Sequence, residues 1–114
     1  MVIRRGDIWW GDLDEPVGSE PGYARPLVIV QSDIFNASRI TTAVTVAITS
    51  NLRLIDAPGN VLLPRRVSGL PKDSVINVSQ IYTIDQALLR DRMGSVPDDI
   101  LEQVDYGLRF ILSL

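Results

Sequence analysis

The chain has 114 residues, 46% hydrophobic and 22% charged, which suits one globular domain over 1–114 and excludes both a separate substrate domain and a disordered composition. It has no cysteine and no histidine, so disulfides, thiolate nucleophiles, zinc–thiolate sites and a histidine general base are excluded, and any catalysis must rest on arginine, carboxylates, hydroxyls and amides. The net charge of −3 speaks against a nucleic-acid partner, but ten of the eleven basic residues are arginine, the side chain suited to bidentate phosphate contacts.

Asp7 to Leu13, with Ile8, Trp9 and Trp10, reads as a strand, and residues 14–22, dense in Pro, Gly, Ser and Glu, as a long loop. Adjacent strand residues face opposite ways, so at most one of the two tryptophans faces the core. An exposed one could stack on a base at ~1–3 kcal/mol, but packing for one and a dimer or loop contact for the other is the preferred expectation. Pro26 to Gln31 and Thr41 to Thr49 are short apolar runs, the second heavily β-branched, and both predict buried central strands. Between them Ser32 can cap one helical turn over Asp33 to Asn36.

A long connection with Pro58, Gly59 and Asn60 leads to Val61–Leu63 and a second polar stretch reaching Asp73; loops this long are often functional. Arg65 and Arg66 in that stretch are expected to be solvated. Ser74 to Ser79, continued by Ile81 to Ile84, predicts a strand or a pair of strands. Ser95 and Asp98 form a capping pair around Pro97 for a C-terminal amphipathic helix whose apolar face is Ile100, Leu101, Val104, Leu108, Ile111 and Leu112. The sum is an α+β, mainly β domain: a small, strongly bent sheet or barrel closed by one helix. No apolar run approaches the ~18 residues of a membrane span, and the amino terminus lacks a signal-peptide pattern, so a cytoplasmic protein with no membrane partner is expected.

Read alone, Gly18-Ser19-Glu20-Pro21-Gly22-Tyr23-Ala24-Arg25-Pro26 is a glycine-rich polar loop delivering an arginine onto the start of a strand. Other blocks accompany it in order: Arg5-Gly6-Asp7-Ile8-Trp9, Gln31-Ser32-Asp33 with Phe35 and Asn36, Ile48-Thr49-Ser50-Asn51, Ser68-Gly69-Leu70-Pro71-Lys72-Asp73-Ser74, and Gln80-Ile81-Tyr82-Thr83-Ile84-Asp85. Together they resemble the MazF/PemK (Kid) family of toxin endoribonucleases over essentially the whole chain.

The resemblance implies an SH3-like, strongly curved β-barrel of the CcdB/MazF type, with short helices and a C-terminal helix, assembled as a homodimer. It implies the toxin of a type II toxin–antitoxin system. Such a toxin cuts single-stranded RNA at short sequences to 2′,3′-cyclic phosphate and 5′-hydroxyl ends, without metal or cofactor, and is neutralised by a cognate antitoxin protein. Arg25 carries over as the catalytic arginine and Thr49 as the catalytic threonine. Ser19, Glu20, Ser50, Asn51 and Gln80 match positions that contact RNA. The plasmid-encoded branch has a histidine where this chain has Ser19, an arginine near Asn77 and an aspartate near Ser79, so the general acid and base stay open here, with Glu20 one candidate base.

Two other classes share the barrel. A gyrase-poisoning toxin needs neither Arg25 nor Thr49 and relies on a tryptophan near its terminus, whereas this chain ends Phe110-Ile111-Leu112-Ser113-Leu114. A non-catalytic RNA-binding module would bind RNA without cutting it.

Overall fold

The computed structural model describes residues 2–13 and 23–114. The apolar runs form strands of one antiparallel sheet: β1 Asp7–Leu13, β2 Tyr23–Ile29, β3 Thr42–Thr49, β4 Val61–Leu63, β5 Ser74–Asp85 and β6 Leu89–Ser95, in the order β4-β5-β3-β2-β1-β6. The helices are α1 Asp33–Asn36, α2 Arg65–Ser68 and α3 Asp98–Leu112. The sheet curls into a half-barrel, the architecture the family resemblance implies.

The central strands are apolar on consecutive residues because both faces of the sheet are covered. Ile8, Val28, Val46, Ile48 and Ile76 join Ile100 and Val104 of α3 in one core, while Trp9, Leu27, Ile29, Ala43 and Ala47 join Ile3, Ile84 and Leu89 in a second. Alternate side chains of each strand therefore serve opposite cores, as a pleated strand requires. No helix among the described residues is long and apolar enough to cross a membrane.

Three elements differ from the sequence expectation. Strand β6 reads as polar because it is an edge strand whose charged side chains face solvent, with Leu89 its buried anchor. Helix α2 follows β4 directly and presses on β6 at the far edge of the sheet: a Cβ at Gly69, which caps α2 at φ 76°, would come within 2.9 Å of Met93 O, and one at Gly94 within 3.1 Å of Ser68 O. That one-turn helix thus draws the two edge strands together. Helix α3 starts at Pro97 without a side-chain cap, so the Ser95 and Asp98 pair does not form; Ile111 and Leu112 are exposed because the last turn of α3 is not covered. The Ser32 cap does form, its Oγ accepting from Ile34 N at 3.2 Å.

Polar side chains fix the irregular joints. Buried Asp7 accepts from Arg4 N, Trp9 Nε1 and Arg92 Nε, tying the amino terminus to β1 and β6. The Arg5 guanidinium pairs with Asp105 of α3. Exposed Asp33 accepts from Arg5 N and then from the Asn36 amide, which together hold its carboxyl below the usual aspartate range.

Between β3 and β5 the register jumps from Val46↔Ile81 to Ala47↔Asn77, leaving Val78, Ser79 and Gln80 in a bulge. Asn60 spans it, accepting from Val78 N at 3.0 Å and donating to Leu54 O at 2.8 Å and Asn77 Oδ1 at 3.1 Å. Asn60→Ala is expected to cost about 1–3 kcal/mol, because partners in a partly buried joint lose their bonds. Urea unfolding checks this; unchanged stability would mean that water replaces the amide.

Candidate active site: a cationic cleft at the ends of the central strands

In an antiparallel sheet the start of one strand lies beside the end of the next. The β2–β3 pairing runs as far as Leu27 and Ala47, and Arg25 and Thr49, two residues beyond it on their strands, both border the same cleft at the rim of the sheet. Gly11 of β1 pairs with Arg25, and Val75 at the start of β5 pairs with Thr49. Residues distant in sequence are thereby gathered at one end of the half-barrel.

A cleft of about 330 Å³ opens there. Trp10 of β1, Arg25 and Pro26 of β2, and Thr49 and Ser50 at the end of β3 form one part of its lining. Leu70, Pro71 and Lys72, on the loop between α2 and β5, form another. Local hydrogen bonds explain the loop's shape. Ser74 Oγ donates to Lys72 O, while the Asp73 carboxylate turns to α2 and accepts from Arg65 N at 2.8 Å.

Among the described residues, no carboxylate lines the cleft, and Arg25 has no ion-pair partner. Two cations, Arg25 and Lys72, therefore face a space bordered by hydroxyls and apolar walls. Thr49 Oγ1 accepts from Asn51 N at 3.1 Å, which orients the hydroxyl and leaves its own proton to donate. Such an arrangement suits an anion carrying a planar or apolar group, with arginine offering two parallel N–H bonds and the hydroxyl a third.

The structure brings together Arg25, Thr49 and Ser50 of the residues expected from sequence. Asn51 and Gln80 do not line this cleft. Asn51 Oδ1 accepts from Arg53 N and caps the turn Leu52–Asp56, while Gln80 Oε1 accepts from Asn77 Nδ2 inside the β5 bulge. Ser19 and Glu20 lie outside the described residues. Sequence reasoning missed Lys72, and it weighed base stacking by an exposed tryptophan but preferred packing and a dimer or loop contact for Trp9 and Trp10. Lys72 carried one signal, as the single lysine of a chain otherwise using arginine.

A family model described as PemK-like, MazF-like toxin of type II toxin–antitoxin system matches residues 4–112. Over 114 residues the chain is 48% identical to a protein of Mycobacterium tuberculosis named endoribonuclease MazF6, covering 100% of both. Its fold is similar to the crystal structure of MazF from Deinococcus radiodurans, with a TM-score of 0.82 and 21% identity over 100% of this chain and 99% of that one. It is also similar to an endoribonuclease from a mycobacterial species in complex with its cognate antitoxin, with a TM-score of 0.76 and 23% identity over 99% of this chain and 95% of that one. With a match along nearly its whole length, the chain belongs to the family of PemK-like, MazF-like toxins of type II toxin–antitoxin systems.

Proposed function

We propose that the chain is the toxin endoribonuclease of such a system, cutting single-stranded RNA at short preferred sequences without a metal ion or cofactor. The observation that carries this reading is the meeting of Arg25, Thr49 and Lys72 in one cleft whose described lining has no carboxylate. RNA brings its own nucleophile. The 2′-oxygen attacks phosphorus and gives up its proton, the bond from phosphorus to the 5′-oxygen breaks, and that oxygen takes up a proton, leaving a 2′,3′-cyclic phosphate and a 5′-hydroxyl. The protein's task is to hold the phosphate in line and stabilise the charge that builds on its oxygens. Arg25 clamps two of those oxygens, and Thr49 donates from the rigid end of β3. Arg25 therefore acts through its positive charge and its paired N–H donors.

The reading includes a homodimer and an antitoxin that competes for the RNA surface. Exposed Tyr106, Phe110 and Leu114 at the end of α3, together with Ile34 and Phe35 on α1, supply apolar surface for association. The mycobacterial relative with its cognate antitoxin supports a protein inhibitor.

The test is incubation of the purified protein with a long unstructured RNA in EDTA, with cleavage ends mapped by primer extension. Discrete cuts bearing cyclic phosphate support the proposal, and intact RNA overturns it. Lys72→Gln should then flatten the dependence of log kcat/KM on log salt concentration by about 0.7, the share of one phosphate contact on a single strand. An unchanged slope would show that Lys72 touches no phosphate.

A further inference from the structure

Trp9 and Trp10 are neighbours on β1 with different surroundings. Trp9 is buried in one of the two cores and its indole N–H donates to Asp7. Trp10 is only half-buried and, among the described residues, belongs to neither apolar cluster and makes no side-chain hydrogen bond. The β1–β6 pairing shifts register on both sides of the Trp9–Trp10 pair, a local twist of the kind that re-aims side chains at the rim of a barrel. Trp10 pairs across the sheet with Pro26, and both line the cleft with Leu70 and Pro71 next to Arg25 and Lys72. An indole left out of both cores, walled by two prolines and a leucine and adjoining two cations, matches the two halves of a nucleotide: a flat base and a charged phosphate.

We propose that Trp10 is a base-binding residue of this cleft, stacking on the nucleobase next to the scissile phosphate while Pro26, Leu70 and Pro71 close the slot around it. The inference rests on the ribonuclease reading above. Single-stranded RNA favours it, because its bases are free to leave the stack and present a face to an aromatic ring. Since every base has such a face, Trp10 contributes affinity and positioning and leaves the choice of base to groups that reach its edge.

The experiment pairs protein and substrate changes. Wild type, Trp10→Ala, Trp10→Leu and Trp10→Phe are assayed on a short oligoribonucleotide carrying a mapped cut site. They are also assayed on versions in which one base flanking the cut is removed and its 2′-hydroxyl kept. Trp10→Ala and Trp10→Leu should lose about tenfold to a hundredfold in kcat/KM on the intact oligonucleotide. Trp10→Phe should stay within about threefold, because a flat ring remains. On the oligonucleotide lacking the stacked base, wild type, Ala and Leu variants should become equal. Trp10→Leu keeps apolar volume in the wall, so it carries the test if the alanine variant does not fold. Losses that stay the same with and without each flanking base would overturn the proposal and leave Trp10 a wall of the cleft only. Cleavage of the intact oligonucleotide by wild type, lost in Arg25→Ala, keeps the ribonuclease reading separate from this outcome.

Discussion

Arg25→Ala is expected to lower kcat for RNA cleavage by about 10²- to 10³-fold, the range seen when one donor aimed at developing transition-state charge is removed. The loss should fall on kcat more than on KM. Charge on the phosphate oxygens peaks in the transition state, and Lys72 still attracts the ground-state polyanion. Arg25→Lys should recover only part of the rate, since an ammonium keeps the charge but cannot offer two parallel N–H bonds. Single-turnover cleavage of a mapped oligonucleotide checks this, with thermal unfolding alongside. Among the described residues, Arg25 has no ion-pair partner and lies at the sheet rim, so stability should hardly change. An alanine variant within tenfold of wild type would remove Arg25 from the chemistry.

Gly107→Ala is expected to destabilise the fold by about 3 kcal/mol or more, at the upper end of the cost of overpacking. Gly107 sits on the buried face of α3, where a Cβ would stand 2.2 Å from Gly59 O, 3.0 Å from Gly59 C and 3.1 Å from Val78 Cγ1. The obstacle is backbone, so no side-chain rotation relieves it; α3 or the Gly59 turn must move. Gly59 is held at φ 85° and leads directly into Asn60, the residue that spans the β5 bulge. Alanine improves helix propensity by about 1 kcal/mol, which is too little to offset separation of α3 from the sheet. Urea unfolding measures the balance. A variant as stable as wild type would mean that the helix end adjusts without cost.

Much of the scaffold was legible in sequence because it depends on local pattern. Residues 26–31 and 41–49 read as buried strands since nearly every position is apolar or β-branched, and the structure shows why: alternate residues feed two cores. Ser32 announced its helical turn through a side chain that bonds two residues ahead. Ile100 and Val104 announced α3 through a period set by helix geometry. The polar elements were illegible for the same reason. Leu89–Ser95 and Arg65–Ser68 offer almost no apolar periodicity; the first is held by its pairing with β1, and the second packs against it.

The candidate site divides in the same way. Arg25 and Thr49 were marked by the blocks around them, through resemblance to a family. Lys72 became visible only when the loop before β5 put it on one cleft with that pair, and only the structure distinguished Trp10 from Trp9 as the tryptophan that lines it. By itself, the sequence determined which chemistries were absent, which segments would be buried and which arginine and threonine to watch, because these follow from side-chain type and short-range order. Tertiary structure alone decided which tryptophan is core and which is cleft, which cleft the single lysine borders, and how tightly α3 seats on Gly59. These are distances between residues far apart along the chain, set by the curl of the sheet and by close packing, which no local pattern records.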